Sequence, residues 1–180
     1  MDSMINQIPP QKQIDLLKVK LLRKNLQCGL SNEEFGENIT DWRLQHHIPT
    51  QYAKRWKNYK STRRDSKYTD LVSECGNYFA EGKKLTGAAC FCPSSDTGAC
   101  RSFNQENLES CFSKNSYYFL YDREYDEEYI TFLIYWIPTE YIREWYTISG
   151  NSKGSITQRK LITHINTCEI SETLYDITNQ

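Results

Sequence analysis

Residues 68–85 read YTDLVSECGNYFAEGKKL, and this segment carries the strongest structural signal in the sequence. Two segments rich in apolar and aromatic residues, Tyr68–Glu74 and Tyr78–Leu85, lie on either side of Gly76-Asn77. This dipeptide favours a tight two-residue turn between antiparallel strands. The stretch therefore predicts a hairpin in which the residue before the turn pairs with the residue after it.

That register places three ionisable side chains on one face of the hairpin. Asp70 lies opposite Lys83, and Glu81 lies opposite Val72, because side chains alternate between the two faces of a strand. The two carboxylates are then about 5–8 Å apart. A Mg²⁺ ion prefers carboxylate oxygens and can orient an attacking water, and a neighbouring ammonium can stabilise negative charge on a phosphate. The pattern indicates a magnesium site, with a solvated charged sheet face as the alternative.

Periodicity elsewhere predicts a helical first third, followed by a sheet with interspersed helices. Helices are expected over Gln11–Gln27, from a capping-box pattern at Ser31 and Glu34, and over Gln51–Tyr59. Later elements are the strands Tyr117–Tyr121 and Tyr129–Ile137, the helices Asn104–Ser113 and Thr139–Trp145, loops at Gly87–Gly98 and Ser149–Gly154, and a partly helical Ser155–Asn166. This order predicts an α/β or α+β fold with a central mixed β-sheet flanked by helices. We expect one domain, with parts 1–60, 61–146 and 147–180.

A family resemblance rests on the same hairpin. Tyr68-Thr69-Asp70-Leu71-Val72 followed by Tyr78-Phe79-Ala80-Glu81-Gly82-Lys83 resembles the PD-(D/E)xK signature of small Type II restriction endonucleases. The resemblance covers residues 60–146, and Thr69 stands where the family name has Pro. It implies a restriction-endonuclease-like fold, Asp70 and Glu81 as Mg²⁺ ligands, and Lys83 as the third active-site residue. It also implies a homodimer that cuts a short palindrome in double-stranded DNA, leaving 5′-phosphate ends, within a restriction-modification system.

Two basic or polar stretches are candidate DNA contacts. Residues 54–67 carry seven basic side chains against the acid Asp65, and such a cluster can hold phosphates by counterion release. The basic residues are Lys54, Arg55, Lys57, Lys60, Arg63, Arg64 and Lys67. A later stretch has donors suited to reading base edges, namely Lys153, Ser155, Thr157, Gln158 and Arg159. A solvated helix face and an ordinary exposed loop are the respective alternatives.

Composition sets further limits on function. The formal net charge is −1, so attraction to DNA must come from local patches. No apolar run reaches the length of a membrane span, and residues 1–10 lack a secretory signal pattern, so we expect a cytoplasmic protein without a membrane partner. Its seven cysteines are then expected to stay reduced. A Zn²⁺ site at Cys90, Cys92, Cys100 and Cys111 is a weaker alternative, because the ligand spacing is unusual.

Two other functions are consistent with the sequence. Residues 30–56 faintly resemble the helix-turn-helix of phage repressors, which would make the chain a non-enzymatic DNA-binding regulator, although the gap between the two helices is too long for that motif. An RNA-specific or structure-specific nuclease of the same superfamily is the third hypothesis. The helix expected at Gln11–Leu26 would be either a dimer contact or part of the core. The leading hypothesis is a Mg²⁺-dependent, site-specific DNA endonuclease.

Overall fold

Strands outnumber helices in the described part of the chain. The computed structural model describes residues 12–25, 56–58, 69–73, 76–85, 87–91, 105–176 and 178. Its strands are β1 (Gln13–Leu22), β2 (Trp56–Asn58), β3 (Leu71–Ser73), β4 (Phe79–Lys84), β5 (Ala88–Cys90), β6 (Tyr117–Tyr125), β7 (Tyr129–Pro138), β8 (Ser155–Thr157) and β9 (Glu169–Asp176). Its helices are α1 (Gln105–Lys114), α2 (Thr139–Ser149) and α3 (Gln158–Ile165), and a 3-10 turn covers Arg23–Asn25. The described fold is therefore mixed α+β.

Seven strands form one mixed sheet in the order β2-β3-β4-β6-β7-β1-β9. The pairs β4–β6 and β1–β9 are parallel, and the other neighbours are antiparallel. Parallel neighbours need a crossover connection, and α1 lies in the connection from β4 to β6. Strands β5 and β8 form a separate antiparallel pair. The central mixed sheet that the sequence predicts is therefore present.

Both faces of this sheet bury apolar side chains. On the first face, Tyr118 and Leu120 of β6 pack with residues of α1, α2, α3 and the β5–β8 pair, including Phe112, Trp145 and Ile156. The second face carries its own cluster, formed by Leu17, Val19, Leu71, Ala80, Phe119, Tyr121, Ile130, Phe132, Ile134 and Trp136. Strands that are buried on both faces have near-continuous apolar sequences instead of a clean alternation.

The helix predicted over Gln11–Gln27 is wrong where the chain is described, because residues 13–22 form strand β1 between β7 and β9. Ile14 and Leu16 are buried on one face of the strand, and Leu17 and Val19 are buried on the other. Apolar residues at 14, 17 and 21 match helical spacing only because both faces of the strand are apolar. The proposed dimer helix is therefore replaced by a strand inside the sheet.

The other elements follow the sequence more closely. Helices α1 and α2 and strands β6 and β7 confirm the predicted elements, although β6 runs on to Tyr125 through part of the acidic segment. Trp56–Asn58 is a strand instead of part of a helix, whereas the helix predicted from Ser31 lies outside the described residues. The expected loop after Gly87 contains β5, and the C-terminal tail forms β9. Across the described ranges, no helix is long and apolar enough to cross a membrane.

Candidate functional site

Strand β4 carries two of the three predicted site residues. Alternation places Glu81 and Lys83 on one face of β4 and Gly82 on the other. The parallel register with β6 sets Glu81 beside Tyr118 and Lys83 beside Leu120. Glu81 and Lys83 therefore lie on the first face of the sheet, under the helices. Glu81 is only 9% exposed.

The third residue, Asp70, directly precedes β3 and is tied to β4 at two points. Its backbone N–H donates to the Ala80 carbonyl at 3.0 Å. Its carboxylate Oδ2 accepts from the Gly82 backbone N–H at 2.8 Å, a charge-assisted hydrogen bond. The Thr69 hydroxyl also donates to the Ala80 carbonyl at 3.0 Å. The Asp70 side chain thus extends the pairing with β4 beyond the first residue of β3, and Asp70 is only 6% exposed.

The predicted hairpin register is wrong by two residues. The structure pairs Leu71 with Ala80 and Val72 with Phe79, so Asp70 does not lie opposite Lys83, and Glu81 does not lie opposite Val72. In the described pairing, β3 ends at Ser73 and β4 begins at Phe79. A shift of two residues leaves side chains on their original faces. It moves Asp70 along β4, where its carboxylate binds the Gly82 amide.

The structure therefore brings the predicted residues together around Gly82, the residue between Glu81 and Lys83. The Asp70 carboxylate binds the backbone of this segment, and Glu81, which belongs to the segment, is also buried. Lys83 is partly buried and forms no ion pair with any residue of the described ranges. Those ranges also contain no group of three or more His, Cys, Asp or Glu side chains that could hold a metal ion. A magnesium ion does not require three, since one or two carboxylates with waters and a phosphate are its usual protein site.

Gly82 has a packing role that the sequence pattern alone did not reveal. A Cβ added there would lie 2.4 Å from Cε2 and Cζ of the Phe119 ring. The ring belongs to the neighbouring strand β6, in register with Gly82. A glycine inside a strand often marks such a close approach, so the sequence did contain a signal. Phe119 thus packs directly against the backbone that carries the site.

Tyr118 is the closest described neighbour of Glu81 on β6 and was not predicted as a site residue. Its side chain is fully buried, and its ring makes an edge contact with Phe91 at a centroid distance of 5.3 Å. Burial raises the pKa of the Tyr118 phenol well above its usual value, with further contributions from Cys111 and Glu81. A hydrogen bond with the Asn115 side chain lowers this pKa and so partly opposes the effect of burial. The phenol therefore stays protonated and can donate a hydrogen bond.

The predicted DNA contacts are only partly described. The side chains of the 54–67 cluster lie outside the described part, which includes only the backbone of Lys57 within β2. In the second stretch Lys153, Thr157 and Arg159 are exposed, and Gln158 is partly buried. Ser155 is buried in β8, where it pairs with Cys90. The backbone N–H of Gln158 donates to the Gly87 carbonyl at 2.7 Å, which sets this stretch just beyond the end of β4.

The cysteines differ from expectation. Cys90 is disulfide-bonded, so the prediction that every cysteine stays reduced is wrong for this residue. A disulfide sulfur is not a thiolate ligand. Cys111, the other described member of the suggested zinc group, is buried in α1 and is not part of a disulfide. The four-cysteine zinc site is therefore not formed, while Cys92 and Cys100 lie outside the described residues.

A second polar contact, which spacing could not predict, joins α2 to α3. Ser149 Oγ lies 2.7 Å from His164 Nε2, and the His164 ring stacks on Trp145. Burial lowers the pKa of His164, and the nearby Glu144 carboxylate opposes this effect. Neutral His164, in the tautomer that leaves Nε2 without a proton, accepts a hydrogen bond from the Ser149 hydroxyl, and this contact joins the two helices.

This lowered pKa predicts acid-sensitive packing of α2 against α3. The unfolded chain binds a proton at His164 more readily than the folded chain does, so stability falls as the pH drops below about 6.5. We expect the Tm of the wild-type protein to fall more between pH 7.5 and 5.5 than that of His164→Gln. Ser149→Ala, which leaves the imidazole buried, should keep the wild-type pH dependence. Equal pH dependence in wild type and His164→Gln would contradict the assignment.

No protein-family model, curated protein or solved structure matches this chain.

Proposed function

We propose that this chain is a Mg²⁺-dependent endonuclease that hydrolyses phosphodiester bonds in double-stranded DNA at specific sites. One observation carries the proposal: the Asp70 carboxylate binds the backbone of Gly82, and the buried Glu81 and the partly buried Lys83 are the residues on either side of that glycine in β4. Burying two acidic groups so close together is costly unless a cation or hydrogen bonds compensate. A divalent cation bound between them would add to the interactions that both residues already make within the chain.

The donor set suits magnesium. Asp70 and Glu81 would hold the ion, and both are hard oxygen donors. The hydrogen bond from the Gly82 N–H fixes the orientation of the Asp70 carboxylate. Because an ionised carboxylate has about four lone-pair sites, its oxygens retain lone pairs that can bind the ion. When bound, the ion would polarise the phosphodiester and lower the pKa of an attacking water. No additional acid is needed for that chemistry.

Lys83 is assigned to the phosphate. Its side chain lies on the same face of β4 as that of Glu81, and the residue is partly buried. From that position it would donate a hydrogen bond to a nonbridging phosphate oxygen, where negative charge increases during attack. The neighbouring Lys84 points to the opposite face and is exposed, so it has no such role.

The finer assignment follows the sequence resemblance. We propose a Type II restriction enzyme that acts as a homodimer, cuts a short palindrome and leaves 5′-phosphate ends. Its base-reading stretch would include Thr157, Gln158 and Arg159. The contact between Gln158 and Gly87 supports this, because it ties the stretch to the chain just after β4. The basic cluster at residues 54–67 would bind phosphates on the same duplex.

Cleavage mapping tests the proposal. The full chain is incubated with mixed-sequence linear DNA in Mg²⁺, in Ca²⁺ and in EDTA, and the ends of the products are sequenced. We expect discrete fragments with 5′-phosphate ends in Mg²⁺ alone. A mobility shift without cleavage in any divalent cation would instead favour the DNA-binding regulator. Cleavage confined to RNA or to branched DNA would favour the third hypothesis.

A further inference from the structure

A lysine outside the two predicted DNA-binding stretches lies beside the candidate site. Lys114 is the last residue of α1 and is partly buried. Its Nζ lies 5.7 Å from the centroid of the Phe79 ring, a cation–π contact. Phe79 is the first residue of β4, the strand that also carries Glu81 and Lys83. The end of α1 is thus placed against the start of the strand that bears the site.

Main-chain hydrogen bonds hold the end of α1 in this place. The backbone N–H of Ser116 donates to the Phe79 carbonyl at 2.8 Å. The backbone N–H of Asn115 donates to the Cys111 carbonyl at 3.1 Å and so closes the last turn of the helix. Lys114 lies between these two contacts along the chain. Its position relative to β4 therefore depends on the backbone and not on its side chain alone.

Strand alternation relates Lys114 to the site residues. Phe79, Glu81 and Lys83 point to the same face of β4. With a rise of about 3.3 Å per residue, Phe79 lies roughly 7 Å from Glu81 and roughly 13 Å from Lys83 along the strand. The Lys114 ammonium, which lies over the Phe79 ring, therefore stands at the opposite end of this row from Lys83. A basic side chain at each end, with the buried Glu81 between them, suits the charged backbone of a nucleic acid.

Two roles fit a lysine in this position. At the end of an α-helix its charge interacts favourably with the helix dipole, which is a purely structural contribution. The Phe79 ring, however, also holds the ammonium in a defined place, so binding an anion there costs less side-chain entropy. The anion that the proposed function brings to this face of β4 is a DNA phosphate. Because the formal net charge of the chain is −1, such contacts must come from individual basic residues.

We propose that Lys114 is a DNA-binding residue whose ammonium binds a phosphate of the cleaved strand, to one side of the scissile bond. Phe79 is the positioning residue for that ammonium. The inference rests on the proposed function, because it assigns a neighbouring phosphate to the same site. A phosphate contact carries no base information, so it should contribute equally to specific and non-specific binding.

The salt dependence of DNA binding tests this contact. The full chain is titrated onto labelled duplex DNA in Ca²⁺ at KCl concentrations from about 50 to 200 mM. The logarithm of the association constant falls with the logarithm of the salt concentration, with a slope of about 0.9 per neutralised phosphate. Lys114→Gln should make this slope shallower by about 0.9 on every duplex tested. Lys84→Gln, on the opposite face of β4, is the matched control and should keep the wild-type slope.

Two further variants separate a phosphate contact from helix packing. Lys114→Arg keeps the charge and should keep the wild-type slope, whereas a purely structural role predicts no slope change in either Lys114 variant. Phe79→Leu removes the ring that holds the ammonium and should weaken DNA binding by about two- to fivefold. In the Lys114→Gln background the same substitution should have no further effect. A wild-type slope in Lys114→Gln, or an equal slope loss in Lys114→Arg, overturns the proposal.

The phosphate contact and the nuclease assignment fail separately. If wild type cleaves DNA and Lys114→Gln keeps the wild-type slope, the contact is wrong and the nuclease assignment stands. If wild type binds DNA without cleaving it and the slope becomes shallower in Lys114→Gln, the nuclease assignment is wrong and the contact stands. A wild-type chain that binds no DNA at the lowest salt concentration overturns both.

Discussion

Glu81→Gln and Asp70→Asn should each lower the rate of Mg²⁺-dependent DNA cleavage by about a thousandfold or more. Each substitution removes a negative charge from the pair that would hold the cation, and metal-assisted charge stabilisation is among the largest single contributions to such reactions. Lys83→Met should cause a loss of similar order, because it removes the ammonium beside the reacting phosphate. Single-turnover cleavage of a mapped site measures all three variants.

The amide variants are chosen because the carboxylates are buried. Asp70→Asn keeps an oxygen that can accept from the Gly82 N–H, whereas Asp70→Ala would leave that backbone donor without its partner. Lys84→Ala is the control for Lys83, since Lys84 is the next residue of β4 and lies on its opposite face. DNA binding in Ca²⁺, measured by mobility shift, should change no more than a few-fold. Cleavage near the wild-type rate by all three site variants would rule out this active site.

Gly82→Ala should be the most destabilising small substitution near the site. The new methyl group would lie 2.4 Å from two atoms of the buried Phe119 ring, and the ring has no solvent-facing space to move into. Overpacking of this kind costs about 1–3 kcal/mol. We expect the free energy of unfolding in urea to fall by that amount, without any change in the charge of the site.

A double-mutant cycle assigns this loss to the ring. Phe119→Leu is destabilising alone, but it makes room for the methyl group, so Gly82→Ala should cost less in that background. The coupling energy between residues in contact is about 0.5–3 kcal/mol. Additive costs would show that the destabilisation arises elsewhere, for example from backbone preferences of the strand.

The sequence predicted the elements in which local pattern and tertiary environment agree. Helix α2 begins directly after Pro138 and buries Ile142 and Trp145 on one side. The helical spacing of these apolar residues is visible in the sequence alone. Strands β6 and β7 are rich in aromatic and β-branched residues, so they could be predicted equally well. In β1 the two faces are both apolar, and the spacing of those residues fits a helix as well as a strand.

The candidate site was predicted by residue type but not by register. A two-residue turn at Gly76-Asn77 was reasonable from turn preferences, and yet it gave the wrong partners across the hairpin. The deciding interactions are the hydrogen bonds of Asp70 to Ala80 and Gly82, and turn statistics do not include them. Tyr118 could not be identified either, because its proximity to Glu81 depends on the parallel β4–β6 pairing across the α1 crossover.

The pairing of β1 with β9 affects how the chain folds while it is being synthesised. Gln13 on β1 contacts Glu169 on β9, 156 residues further along the chain. During synthesis β1 can therefore associate with β7 on one side, but its other edge stays open until β9 has been translated. Contacts between such distant residues slow folding. A nascent chain halted before residue 169 would thus expose an unpaired strand edge to other polypeptides, and holdase chaperones are the expected protection during that interval.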